Sequence, residues 1–119
     1  MKKTEEMIKS EEIFELKLTN YEHKLGLWIG KVERYITNDS LKKQELELLN
    51  KRFFFYKNEL IPALKETLEL DKKHITLSLI NPDRENFKPI KIEIKNHQML
   101  IDQFIKRVDV LHKELETLL

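Results

Sequence analysis

Four aromatic residues in succession, Phe53-Phe54-Phe55-Tyr56, sit inside a stretch that otherwise carries helical spacing. Successive positions on an α-helix lie about 100° apart, so four neighbours point nearly all the way round the axis. A helix with one buried stripe hides only part of such a set. The run therefore demands a helix enclosed on several sides by its own chain, or a second chain that covers the remainder.

The flanking sequence is built for long helices. Met7, Phe14, Leu18, Tyr21, Leu25, Trp28, Val32 and Tyr35 alternate spacings of three and four, with Glu11 as the one charged member. This heptad-like seam predicts a first helix from about Thr4 to Ile36 that packs lengthwise on its neighbours. Thr37-Asn38-Asp39-Ser40 supplies capping residues, and so short a link turns the next helix back alongside the first. The second helix, about 39–70, has its seam at Leu46, Leu49, Phe53, Tyr56, Leu60, Ala63 or Leu64, and Leu68. Pro62 interrupts it. Proline donates no hydrogen bond to the Asn58 carbonyl and crowds it, so a kink or a break is expected near Asn58–Pro62.

From His74 the period changes to two. Ile75, Leu77 and Leu79 alternate with Thr76 and Ser78, and Ile90, Ile92 and Ile94 with Lys91 and Glu93. Asn81-Pro82-Asp83-Arg84 between them is turn material. The pattern predicts a β-hairpin over about 74–95, with Pro89 at a strand start or on its free side. A third helix follows from about Asn96 to the C-terminus on Ile101, Phe104, Val108, Leu111, Leu115 and Leu118. The expected fold is thus mainly α: one domain of three long helices in an antiparallel bundle, with a β-hairpin inserted between the second and third.

Two features point to a partner. Phe53 and Tyr56 belong to the seam, whereas Phe54 shares one flank with Ile61 and Phe55 shares the opposite flank with Leu48. Either the second helix is central and the hairpin caps it, or one flank waits for another chain. The only two glycines, Gly26 and Gly30, lie four apart on the back of the first helix, near Thr19, His23 and Thr37. There they form either a shallow groove for a partner helix or two tolerated glycines on a solvated face. A hairpin edge could pair with a second copy, or the hairpin could fold over the second helix.

Chemistry leaves less trace. Zero cysteines remove disulfides and thiolate chemistry, and suit a cytoplasmic protein. No Glu-x-x-His pair occurs, as carboxylate-bridged helical metal sites require. Only His97 extends a seam, and Glu11 is the one carboxylate on one. A net charge of +1 and interleaved acidic residues give Lys42-Lys43, Lys51-Arg52 and Lys72-Lys73 little force as a nucleic-acid surface. Met1-Lys2-Lys3-Thr4-Glu5-Glu6 turns acidic with no apolar stretch behind it, against a signal peptide, and no apolar run reaches membrane-span length. The sequence therefore reads as a non-enzymatic protein–protein interaction or assembly module, self-associating as a homodimer and open to a second protein as partner. It is expected to have no cofactor, metal, membrane or nucleic-acid partner. Candidate partner-binding residues are Phe54, Phe55, Leu48, Ile61, Gly26 and Gly30. The alternatives are a helical-bundle metal binder or enzyme using His97 and nearby carboxylates, and a nucleic-acid-binding accessory protein.

Overall fold

Buried residues recur every seven positions along each helix. The computed structural model describes residues 2–36, 42–80 and 84–119. In α1 (Lys2–Ile36) the sites are Glu11, Leu18, Leu25 and Val32, all closed to solvent. In α4 (Arg84–Leu118) they are Ile94, Ile101, Val108 and Leu115. The intervening rod divides into α2 (Lys43–Phe55), a π-helical turn (Tyr56–Leu60) and α3 (Ile61–Ile80). Its deepest residues are Leu46 and Phe53 before the turn, and Ile61, Leu68 and Ile75 after it. The result is three rods that follow one another without a break in the core, with overall extents of 62 × 19 × 17 Å. The middle rod runs antiparallel to the other two. Lys42, at its start, reaches the Leu118 carbonyl at the end of α4 (2.8 Å).

The π turn explains how an irregular sequence keeps one buried face. Phe53 and Ile61 are eight residues apart, which in a straight α-helix would carry Ile61 about 80° past Phe53. A π turn takes up one extra residue. Here the Ile61 N–H bonds to the Tyr56 carbonyl, five residues back. The helix neither breaks nor restarts at Pro62. The wide turn lies immediately before it, where the ladder must lose a donor in any case.

The predicted hairpin is absent. Among the described residues there is no strand, and the segment assigned to it forms the end of α3 and the beginning of α4. The period-two pattern was ambiguous because its members also fit the heptads: Ile75 continues Leu68, and Ile94 precedes Ile101. A strand face would hold Ile75 and Leu77 together, yet Ile75 is fully buried and Leu77 is 60% exposed. Ile94 and Ile92 divide in the same way, with Ile92 62% exposed. The Thr76 hydroxyl donates to the Lys72 carbonyl one turn back (2.9 Å), so even this β-branched residue is absorbed by the helix. An isolated two-stranded hairpin is marginal in water, whereas extended helices add heptads to an existing seam. Pro89 lies inside α4, in its second turn. The fold is therefore a mainly α bundle with the middle rod ending at Ile80, not near Leu70, and the last helix starting at Arg84, not near Asn96. The expected cap at Thr37–Ser40 and turn at Asn81–Asp83 lie outside the described residues.

Candidate functional site

Each rod carries one polar residue on its seam, and the fold brings all three to the same level. Glu11 of α1, Asp71 of α3 and His97 of α4 form a layer near the end of the bundle that holds the N-terminus. His97 Nδ1–H donates to both Asp71 oxygens, at 3.0 Å to Oδ1 and 2.9 Å to Oδ2. A carboxylate only accepts, so the proton belongs on Nδ1. Gln98 Nε2 donates to Ser10 Oγ and to Glu11 Oε1, both at 3.0 Å. Glu11 Oε2 is buried without a hydrogen-bond partner. Burial and the Asp71 carboxylate push the Glu11 carboxyl up to about 7, against the smaller pull of Gln98 and His97. Glu11 and Asp71 are almost completely enclosed. No group of three His, Cys, Asp or Glu side chains among the described residues is arranged to hold a metal ion.

The layer was half legible. Glu11 and His97 both stand on their seams in sequence. Asp71 escapes the sequence reading because the expected end of the middle helix, near Leu70, falls one residue short of it, whereas the rod continues to Ile80. Once that rod continues, the spacing Ile61, Leu64, Leu68, Asp71, Ile75 puts the carboxylate on the buried face.

The second region is the surface between α4 and the middle rod, from α2 through the π turn to the first turns of α3. Three adjoining depressions run along it. The largest, ≈ 520 Å³, lies between Leu48, Leu49 and Arg52 on one side and Val110, Lys113 and Leu118 on the other. The next is framed by Arg52, Tyr56, Arg107 and Val110. The last passes over Tyr56, Leu60 and Leu64 to Leu100 and Phe104. Shared walls at Arg52, Val110, Tyr56 and Arg107 join them into one groove. From Leu100 to Leu118 it spans about 27 Å of helix. Its floor includes Tyr56, whose ring meets Phe104 edge-on at 5.3 Å.

The residues singled out in the sequence separate. Leu48 lines the groove. Phe55 lines none of the three depressions; it is 54% exposed, with its ring 6.0 Å from that of Tyr56. Ile61 is inside the core, because the π turn rotates it toward Phe53. Phe54 is left without that companion on the other flank, 41% exposed. Gly26 belongs to a separate shallow depression with Thr19, His23 and Leu27, crossed by the side chain of Lys57. A Cβ at Gly26 would meet Lys57 Nζ at 3.6 Å, an ordinary contact, and one at Gly30 would meet open space. Of the six candidates, Leu48 alone lines the groove. Leu100 and Val110, the exposed apolar residues on the α4 side, were not singled out because neither falls on a seam.

No protein-family model matches the sequence, and no curated protein or solved structure is significantly similar to it. No helix among the described residues is long and apolar enough to cross a membrane.

Proposed function

We propose that the protein is a non-enzymatic protein–protein interaction module that receives a helix in the groove between α2 and α4. One observation carries the reading: Leu48, Leu100 and Val110, each more than half exposed, line a continuous groove with an apolar floor. Parallel or antiparallel packing of a further helix there would extend the arrangement that the three rods already use. Fully burying one such side chain contributes about 1.5–3 kcal/mol, so three of them give a docking helix a substantial apolar anchor.

A photo-crosslinking amino acid placed at Leu48 or Val110 in the producing cell tests this. Discrete adducts to a defined polypeptide are expected from both positions and from neither Ile13 nor Leu27, which are also exposed but lie on α1. Equal labelling from all four would remove the groove as the docking surface. In the isolated protein, Leu48→Ser with Val110→Ser should leave the melting temperature nearly unchanged, since neither side chain belongs to the core.

A further inference from the structure

We infer that the helix received by this groove is an amphipathic one with acidic flanks, from a protein other than a second copy of this chain. The inference rests on the interaction-module reading and adds the chemistry of the partner. Along its length the groove presents Arg52, Lys106, Arg107 and Lys113, against Glu45 and Glu114. Among the described residues none of the four cations forms an ion pair. On the rest of the bundle, Lys17, Lys65 and Lys72 are each matched by a carboxylate on another helix. The groove cations border apolar surface, outnumber its two carboxylates and are tied to neither by an ion pair, which is the arrangement that selects carboxylates beside an apolar stripe.

The same charges disfavour self-association through this face. Leu100 and Val110, the exposed apolar residues of α4 that line the groove, have the groove cations Lys106 and Arg107 between them. A twofold axis that packed α4 antiparallel on its copy about the middle of the groove would set Arg107 near its own symmetry mate. Like charges so juxtaposed penalise the homodimer, while a helix bearing Glu or Asp beside its apolar positions relieves them.

A phage-displayed library of helical peptides, with a fixed leucine stripe and randomised flanking positions, is panned on the full chain. In parallel it is panned on a variant carrying Arg52→Glu and Arg107→Glu, both changes on the surface. The expected result is enrichment of Asp and Glu in the flanks on the parent chain, and of Lys and Arg on the variant. A selected acidic peptide should lose at least about tenfold in affinity on the variant, and should weaken as salt rises. It should also shift the amide resonances around Leu48 and Val110. Peptides selected on both chains without charge bias, yet shifting those resonances, would overturn the acidic-partner inference and leave the docking groove standing. A failure to enrich any peptide that perturbs the groove would overturn both. Concentration-dependent dimers that bury Leu48 and Val110, or binding of anionic vesicles or duplex DNA at the groove in place of peptides, would likewise overturn it.

Discussion

The two halves of the bundle, divided at the π turn, are held by different forces. Beside α3 the helices exchange polar bonds. Lys65 reaches Glu22 at 3.1 Å, Lys72 reaches Glu15 at 2.7 Å, and Asp71, His97, Gln98 and Glu11 meet in the interior. Beside α2 the contacts are large rings: Trp28 lies 5.7 Å from Phe53 and stacks on His112 at 4.2 Å. Asn50 is buried there too, but its Oδ1 has no partner. Polar bonds are directional and tie one level of one helix to one level of another. Ring packing is less particular about register, and it concentrates stability in a few side chains. The α3 half is therefore suited to fixing alignment. The α2 half stabilises from within and leaves its α4-facing flank open as a groove.

If that division holds, the largest single effect belongs to Phe53. Phe53→Ala should destabilise by about 3–5 kcal/mol in urea denaturation, the usual range for deleting a buried aromatic ring. Phe55→Ser, two positions on but half exposed, should cost less than about 1 kcal/mol. Comparable losses at the two sites would mean that the flank of α2 is core, and the contrast between halves would collapse.

The α3 half should answer to pH instead. Glu11 is raised from 4.5 to about 7 in the folded protein, so the folded state holds this proton more tightly than the unfolded chain does. Its contribution is fully present below about pH 4.5 and is lost as pH rises through about 7, by at most about 3 kcal/mol. Glu11→Gln mimics the protonated carboxyl and should remove this dependence. The difference between the parent and Glu11→Gln unfolding free energies, followed from pH 4 to 8, isolates it from the other ionisable groups. A difference that stays flat would place Glu11 in contact with water.

Asp71→Ala comes next in size. It strips the His97 ring N–H of its acceptor, with an expected loss of about 1–3 kcal/mol. It also removes the carboxylate that opposes ionisation of Glu11, so the pH transition assigned to Glu11 should move downward. The two substitutions should therefore be non-additive in a double-mutant cycle. Additive losses, with the pH transition unmoved, would show that the two carboxyls do not share a layer.

Period and phase account for what the sequence disclosed. The seams of α1 and α4 were readable because hydrophobic residues recur at three and four over many turns, and Glu11 and His97 stood out against them. The hairpin was misread where the chain is β-branched and period two fits nearly as well as period seven. Ile75 and Ile94 decide the matter only when their distant heptad mates, Leu68 and Ile101, are counted with them. Ile61 was placed on the flank of Phe54 because a constant 100° step was applied across the π turn. The groove is legible on one side, through Leu48. On the other side, Leu100 and Val110 are ordinary exposed residues until α4 is set beside α2.

The smallest predicted effect concerns the boundary between the halves. Two causes compete for the π turn: Pro62, which removes a donor, and the eight-residue step from Phe53 to Ile61, which needs one extra residue absorbed. If proline were the cause, Pro62→Ala should restore a straight α-helix and turn Ile61 out of the core, with a large loss of stability. If phase is the cause, the turn must persist. Leaving Ile61 buried beside Leu68 is worth more than one regular helical bond, since a buried isoleucine contributes about 1.5–3 kcal/mol and a hydrogen bond about 0.5–1.5. Phase is the expected winner. Pro62→Ala should change stability by no more than about 1 kcal/mol, because Pro62 is exposed and the wide turn before it already accommodates the missing N–H. The bond from the Ile61 N–H to the Tyr56 carbonyl should remain detectable by NMR scalar coupling across the hydrogen bond. Deleting Asn58 in the Pro62→Ala background then removes the extra residue itself. That chain should form an uninterrupted α-helix with Phe53 and the isoleucine now seven apart, both still buried. A π turn that survived the deletion would show that neither phase nor proline creates it. The two halves would then be joined by local strain, not by the arithmetic of the core.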